Sequence, residues 1–224
     1  MERPAVERAR ALGRSVRPAV EVLADRLSAA VHARPEALFG IQETQRELDR
    51  VGREAPALVR TVVPDRVTLA RLASLLRALL AERVSVRPLR EVLEALGQDP
   101  LPAREGELVE VVRARIARQL THALVREDGA LGVLALDPMI EEALRDARRK
   151  DGEPAVDPEL ARDVLEAVRR ALDEAEGPPV VVTQPDVRSA LRRLLAPELP
   201  DLAILSYREL DPAVQVRRLG VVRP

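Results

Sequence analysis

The spacing of apolar residues changes near residue 126 of this 224-residue chain, and that change constrains the fold more than any other feature. Before it, apolar residues recur every three or four positions and so share one face of a helix. The clearest run is Leu69, Leu72, Leu76 and Leu79. The same spacing recurs over 89–96 and then from Val109 toward a helix end near Arg126. Residues 66–126 therefore predict a compact helical unit.

A break at Val84-Ser-Val-Arg-Pro88 separates the first two of these helices. A serine oxygen can accept a hydrogen bond from the free N–H groups at a helix start. Proline in the first turn of a helix costs no hydrogen bond, because that N–H has no partner within the helix. We therefore predict that Ser85 caps the second helix and that Pro88 lies in its first turn.

Beyond residue 126 the apolar residues form short runs of the kind found in buried strands. These runs lie at 131–136, 180–183, 202–205 and 214–222. Asp137-Pro138 and Asp157-Pro158 each place a helix-capping side chain before a proline, which predicts helix starts. Ser206-Tyr-Arg-Glu209 has the pattern of a capping box. Strands alternating with helices predict a small α/β sandwich.

Loop-like segments rich in proline and glycine divide the chain at 52–56, 98–106 and 149–154. The fold class predicted from these patterns is α+β: a helical, winged-helix-like subdomain followed by a small α/β sandwich subdomain. We expect three parts: an N-terminal helical segment over 1–55, a helical subdomain over 56–126 and a C-terminal α/β subdomain over 127–224.

Composition excludes several classes of function. The net charge of -1 gives no overall field toward nucleic acid or an anionic membrane. Without cysteine, neither disulfides nor thiolate metal sites can form. No apolar run reaches the roughly 18 residues of a membrane helix, and the charged start has no secretory core. We expect a soluble, cytoplasmic chain that makes no membrane contact by itself.

Residues that could carry catalysis are not arranged in any motif that we identify. There is no nucleophile elbow, no phosphate-binding glycine loop and no zinc-binding His-Glu-x-x-His. The two histidines, His32 and His122, lie far apart in sequence and are interpreted as surface or helix-end residues. We therefore expect no enzyme activity, no metal and no cofactor.

Four segments resemble, in order, those of one protein family. They are Gly40-Ile-Gln-Glu-Thr-Gln45 with Leu48-Asp49, Leu79-Leu-Ala-Glu-Arg-Val-Ser-Val-Arg87, Val109-Glu-Val-Val-Arg113 with Ile116, and Leu205-Ser-Tyr-Arg-Glu-Leu210. The second, around Glu82-Arg83-Val84-Ser85, is the most specific. On these segments the chain is similar to the flagellar and virulence-associated type III export gate, or FHIPEP family, over roughly 20–222.

The resemblance implies the C-terminal cytoplasmic part of an export gate at the inner membrane. Residues 1–55 would then be a remnant of the first cytoplasmic subdomain, and the family's membrane domain has no counterpart here. Such a part forms a nonameric ring when tethered to the membrane, and alone it should be monomeric or weakly associated. The implied partners are chaperone–substrate complexes and the stalk protein of the secretion ATPase.

The resemblance places ring contacts in the helical subdomain. The predicted oligomer interface is a charged edge formed by Glu82, Arg83, Arg87, Arg90, Glu91 and Glu94. The alternative is a solvated helix face with pairs such as Arg87–Glu91 and Arg90–Glu94.

Tyr207, Arg208 and Glu209 are candidates for partner binding, because tyrosine offers a large apolar face and a hydroxyl at low entropic cost. The alternative is that Tyr207 covers the edge of the sheet.

A winged-helix-type nucleic-acid-binding regulator is the alternative function, since residues 66–97 also fit a helix-turn-helix. Arg87 and Arg90 would contact phosphates, but Glu91 and Glu94 would face the same anionic groove. We therefore favour a docking and ring module without nucleic-acid binding.

Overall fold

The computed structural model describes residue 12 and residues 17–98, 100–150 and 157–224. The first part of the described chain is helical. Its elements are α1 (Ala19–Ala33), a 3₁₀ turn (Pro35–Leu38), α2 (Ile41–Glu54), α3 (Pro56–Val62), α4 (Leu69–Ala81), α5 (Leu89–Leu96), α6 (Glu105–Arg115) and α7 (Ala117–Leu124). No helix among the described residues combines the length and apolar character needed to cross a bilayer.

The second part is an α/β unit. Its elements are β1 (Ala130–Leu136), α8 (Pro138–Lys150), α9 (Pro158–Glu174), β2 (Val180–Thr183), α10 (Pro185–Leu195), β3 (Ile204–Ser206), a second 3₁₀ turn (Tyr207–Glu209) and β4 (Gln215–Val222). The strands form a parallel sheet in the order β3-β2-β1-β4. The predicted fold class, a helical unit followed by an α/β unit, is confirmed.

The sheet is a middle layer with two buried faces. Alternate side chains of a strand point to opposite faces. Leu131, Val180 and Leu205 therefore pack into the core of the helical unit, which contains Leu76 and Val112. Their neighbours Leu134, Val181 and Ile204 pack on the other face with residues of α8, α9 and α10. The helical unit and the helices of the α/β unit thus share one sheet.

The predicted helix starts of the second part are confirmed. α8 begins at Pro138, and the Asp137 carboxylate accepts the Met139 N–H at 2.9 Å. α9 begins at Pro158, and Asp157 accepts the Glu159 N–H at 2.8 Å. Three of the four predicted strands lie as expected, while β3 begins at Ile204 rather than at residue 202. The predicted loop at 149–154 lies largely outside the described residues, as does the chain before residue 17 apart from residue 12.

Three expectations for the helical unit are wrong. The helix predicted from Val109 to near Arg126 is interrupted at Ile116, which separates α6 from α7. Ser85 does not cap α5: its oxygen accepts the N–H of Arg87 at 3.3 Å, two residues before the helix begins at Leu89. Pro88 is the residue before the first turn, where its missing N–H still costs no helical hydrogen bond.

The turn after α4 has the hydrogen bonds of a Schellman motif. The Val84 N–H donates to the Leu79 carbonyl at 2.9 Å, and the Arg83 N–H donates to Leu80 at 3.0 Å. Arg83 occupies the left-handed position with φ 62°, where glycine is usual. This turn directs Glu82 toward the buried Arg113 and Arg188, whereas Arg83 contacts Asp201 at the surface.

Residues before position 56 divide into two groups. Leu48 and Val51 of α2 are buried in the same core as Leu76 of α4, so α2 packs as part of the helical unit. α1, in contrast, has no buried residue, and its apolar side chains Leu23 and Leu27 are both 68% exposed.

We predict that the two cores unfold together, because they share the sheet. Leu76→Ala and Leu191→Ala each remove a fully buried side chain, one from each core, and should each lower the free energy of unfolding by about 3 kcal/mol. Urea denaturation followed by circular dichroism and by Tyr207 fluorescence should give one coincident transition for both variants. Two separate transitions would contradict the shared layer.

Candidate functional site

A buried arginine of α10 joins the two units. Arg188 is fully buried, and it donates to Glu82 in the turn after α4 and to Glu110 of α6. Its Nη1 lies 2.6 Å from Glu82 Oε2, and its Nε lies 2.8 Å from Glu110 Oε2. The Arg188 Nη2 contacts both carboxylates. One guanidinium thus holds two elements of the helical unit against the α/β unit.

A second buried arginine completes the network from the opposite side. Arg113 of α6 donates to Glu209 in the second 3₁₀ turn, with Nε–Oε1 at 2.9 Å and Nη2–Oε2 at 3.0 Å. Its Nη1 lies 3.0 Å from Glu82 Oε2, so Glu82 bridges the two arginines. Glu209 is oriented by the predicted capping box, in which its Oε2 accepts the Ser206 N–H at 3.0 Å. This two-point pairing of arginine with carboxylate is the geometry in which such bonds are strongest.

Hydrogen bonds to uncharged groups around the network make further links between the units. The Thr121 hydroxyl of α7 donates to the Glu209 carbonyl at 2.6 Å and accepts the Asp211 N–H at 3.0 Å. Arg192, one turn after Arg188, donates to the Ala81 carbonyl of α4 at 3.4 Å, and within the α/β unit to the carbonyls of Pro200 and Leu202 at 2.8 and 3.1 Å. The buried polar atoms of this region are therefore paired, as a buried network requires.

The electrostatics favour the charged states of Glu82 and Arg188, whereas burial disfavours the charged state of Arg192. Burial raises the pKa of Glu82, but attraction to Arg188, Arg113 and Arg192 outweighs it, so the pKa is lowered. Burial lowers the pKa of Arg188, but Glu110 and Glu82 more than compensate, and the pKa is raised well above its ordinary range. Burial is the main cause of the lowered pKa of Arg192.

Sequence reasoning did not assign this network, although one signal was present. Arg113 lies on the apolar face of α6, four residues after Val109 and three before Ile116. A charged residue at a buried helical position needs a partner that is also buried. The identity of that partner depends on the tertiary fold.

The predicted oligomer-interface residues do not share one exposed face. Glu82 is 19% exposed and pairs inside the chain. Arg83 contacts Asp201 across the two units at 3.3 Å and donates to the His32 carbonyl. Arg87, Arg90 and Glu94 are exposed and Glu91 is half-buried; Arg90 pairs with Glu94 at 3.0 Å, as the alternative interpretation expected. The role of these residues in an interface stays a prediction.

The three candidate partner-binding residues have different environments. Tyr207 is 45% exposed, and Arg208 is exposed beside it. Glu209 is fully buried, and its carboxylate is occupied by Arg113 and Ser206. Partner binding stays a prediction for Tyr207 and Arg208, whereas the contacts of Glu209 give it a role within the fold.

The two histidines lie in the last turns of helices, as the sequence indicated. The His32 Nδ1–H donates to the Ser28 carbonyl at 2.7 Å, and His122 Nε2 lies 3.0 Å from Asp211 Oδ2. Within the described residues, no group of three or more histidine, aspartate or glutamate side chains is arranged to hold a metal ion.

Solved structures share this arrangement of a helical unit on a parallel sheet. The CdsV protein of Chlamydia pneumoniae aligns with a TM-score of 0.82 at 28% identity, over 100% of this chain and 66% of that chain. A complex of CdsV with CdsO gives a TM-score of 0.80 at 28% identity, over 99% and 66%. The nonameric EscV cytosolic domain from the type III secretion system gives 0.69 at 22% identity, over 84% and 57%, which shows the fold alone. The chain has the fold of the cytosolic domains of type III secretion export gate proteins.

Sequence comparison gives the family. The sequence model of the FHIPEP family matches residues 1–215, and the chain belongs to this family. The flagellar biosynthesis protein FlhA of Yersinia enterocolitica is 34% identical over 220 residues, covering 96% of this chain and 32% of FlhA. The invasion protein InvA of Salmonella typhimurium is 30% identical over 223 residues, with shares of 96% and 32%. The chain thus spans about a third of the length of these relatives, and none of these matches supports the nucleic-acid-binding alternative.

We predict that removing the charge of Arg188 strongly destabilises the fold. Arg188→Met leaves Glu82 and Glu110 without their shared partner, which should cost about 3–5 kcal/mol of unfolding free energy. Arg193→Met, on the same helix at an exposed position, should change it by less than about 0.5 kcal/mol. Urea denaturation measures both, and equal effects would contradict the role of the network.

We also predict a pH dependence specific to Glu82. Because its pKa in the folded state is below the ordinary 4.5, the folded protein binds this proton less tightly than the unfolded chain. The stability that Glu82 contributes is therefore complete above pH 4.5 and is lost as the pH falls through the lowered pKa. The difference in unfolding free energy between the native chain and Glu82→Gln should shrink over that range, while Glu94→Gln should show a small difference throughout. A Glu82 difference independent of pH would exclude this linkage.

Proposed function

We propose that the chain is a non-enzymatic docking and ring module of a type III export gate, at the cytoplasmic face of the inner membrane. Membership in the FHIPEP family carries this proposal. The buried network supports it, because Arg188 and Arg113 fix the helical unit against the α/β unit. A rigid two-unit body suits a docking surface that has to keep its shape as partners come and go. Both flagellar and virulence relatives match the chain. The partners that it binds would therefore tell which kind of system it serves.

The ring is proposed from the fold and the exposed charges of α5. A protein with the same fold, the EscV cytosolic domain, is nonameric. Arg90 and Glu94 lie exposed on α5, where they can pair with a neighbouring copy as well as with each other. Exposed ion pairs contribute at most about 1 kcal/mol each, so a free chain should associate weakly. Tethering to a membrane raises the effective concentration, and closing the ring adds a contact without a further association step.

Docking of partners is proposed from the relatives and from the exposed end of the α/β unit. CdsV forms a complex with CdsO. By analogy, this chain would bind the stalk protein of the secretion ATPase and complexes of chaperone with substrate. Tyr207 and Arg208 offer an exposed aromatic face and a cation next to the rigid network.

We predict that the ring forms on a surface and depends on α5. The chain, with a histidine tag, is attached to vesicles containing nickel-chelating lipid and is then chemically cross-linked. We expect a ladder of species up to nine copies that is absent in dilute solution. Arg90→Glu should abolish the ladder, because the reversed charge repels Glu94 of both copies.

The matched control is Arg170→Glu, which reverses an exposed charge on α9 and should leave the ladder unchanged. A ladder that survives Arg90→Glu would show that α5 is not part of the interface between copies. No ladder on vesicles at all would overturn the ring.

A further inference from the structure

An apolar groove lies between the two units, next to the buried network. Its volume is 490 Å³, within the range of about 300–1,000 Å³ typical of binding sites. One wall is formed by the turn after α4 and by α7, with Val84, Ile116 and Leu120. The opposite wall is the chain leading into β3, with Leu202 and Ala203.

The groove continues along the surface rather than ending as a closed hole. A second cavity of 600 Å³ shares part of its lining. The residues common to both are Ala123, Leu124, Asp201, Leu202 and Ala203. The shape therefore suits an extended segment that lies along the groove better than a compact ligand.

Among the described residues, the charges at the groove leave one cation without an ion-pair partner. Glu82 and Arg113 are neutralised in the buried network, and Arg83 pairs with Asp201 across the two walls. The side chain of Arg87 is exposed at the rim, and among the residues described it has no ion pair. An occupant with a carboxylate close to its apolar contacts would complement this charge.

A polar group is also available for a peptide backbone. Gln119 of α7 lines the groove and is half-buried. In the part of the chain that the structure covers, its amide has no hydrogen-bond partner. A side-chain amide carries both donors and an acceptor, so it can bind the backbone of an extended segment.

From these observations we propose that the groove binds a short extended segment of a partner protein, with two or three apolar side chains close to a carboxylate. The apolar side chains fill the groove, the carboxylate pairs with Arg87, and Gln119 bonds the backbone. This assignment deepens the proposed docking role and rests on it, but it does not depend on the ring.

The test uses two labelled six-residue peptides in fluorescence anisotropy titrations with the full chain. One has three leucines and three carboxylates, and the other has three leucines and three lysines. We expect saturable binding of the acidic peptide and binding of the basic peptide that is weaker by about tenfold or more. Arg87→Gln should weaken the acidic peptide by about fivefold, the upper range for an exposed ion pair.

Filling the groove is the second arm. Ala123→Trp places a large ring in the groove from an exposed position on α7 and should abolish binding. The matched control is Ala57→Trp, at an exposed position on α3 away from the groove, which should bind normally. Thermal unfolding of each variant checks that it is folded. If Ala123→Trp does not fold, the Arg87→Gln variant and the comparison of the two peptides still test the proposal.

Several results would overturn the assignment. Equal binding of the two peptides would show that the site does not recognise a carboxylate. Binding that survives in a folded Ala123→Trp variant would show that the peptide does not bind in the groove. Absence of saturable binding would exclude a peptide site. Self-association that is lost in Ala123→Trp would assign the groove to a second copy of the chain instead. The ring is tested separately, through Arg90.

Discussion

Arg188 is buried between two halves of the molecule, and its guanidinium can stay there only because Glu82 and Glu110 lie against it. An isolated buried charge costs several kcal/mol, so these three side chains require each other once the fold is formed. The same contacts set the distance between α10 and the helical unit. Through Glu82 they also hold Arg113 and, beyond it, Glu209 at the end of β3. Because this network fixes the two units against each other, it also fixes the walls of the groove and the position of Tyr207.

The features that were predictable from the sequence are local ones. Asp137 and Asp157 act on the helices that begin one residue later, and Ser206 and Glu209 form their capping box within four residues. The continuous apolar runs of β1 and β2 indicate directly that both faces of the sheet are buried. The break at Ile116 was missed because the apolar stripe continues through it, so periodicity alone indicates one helix.

The network could not be predicted in the same way, because the partners of Arg188 lie 78 and 106 residues away along the chain. Sequence could mark Arg113 as a charge on an apolar face, but only the packing of α10 on α4 and α6 selects Glu82 and Glu110. Glu82 illustrates the difficulty: beside Arg83 and Arg87 it resembles one more surface charge, whereas the turn after α4 directs it inward. The packing of Leu48 and Val51 also leads us to propose that the helical subdomain begins at α2 rather than at residue 56.

The central claim is that direct pairing between Arg188 and the helical unit holds the two units as one body. A double-mutant cycle on the free energy of unfolding, with Arg188→Met, Glu110→Gln and the double variant, isolates that pairing. The Arg188 Nε to Glu110 Oε2 distance of 2.8 Å predicts a coupling energy of at least about 1 kcal/mol, so the double variant should be more stable than the sum of the two single effects implies. Additive effects, with a coupling energy near zero, would contradict the account.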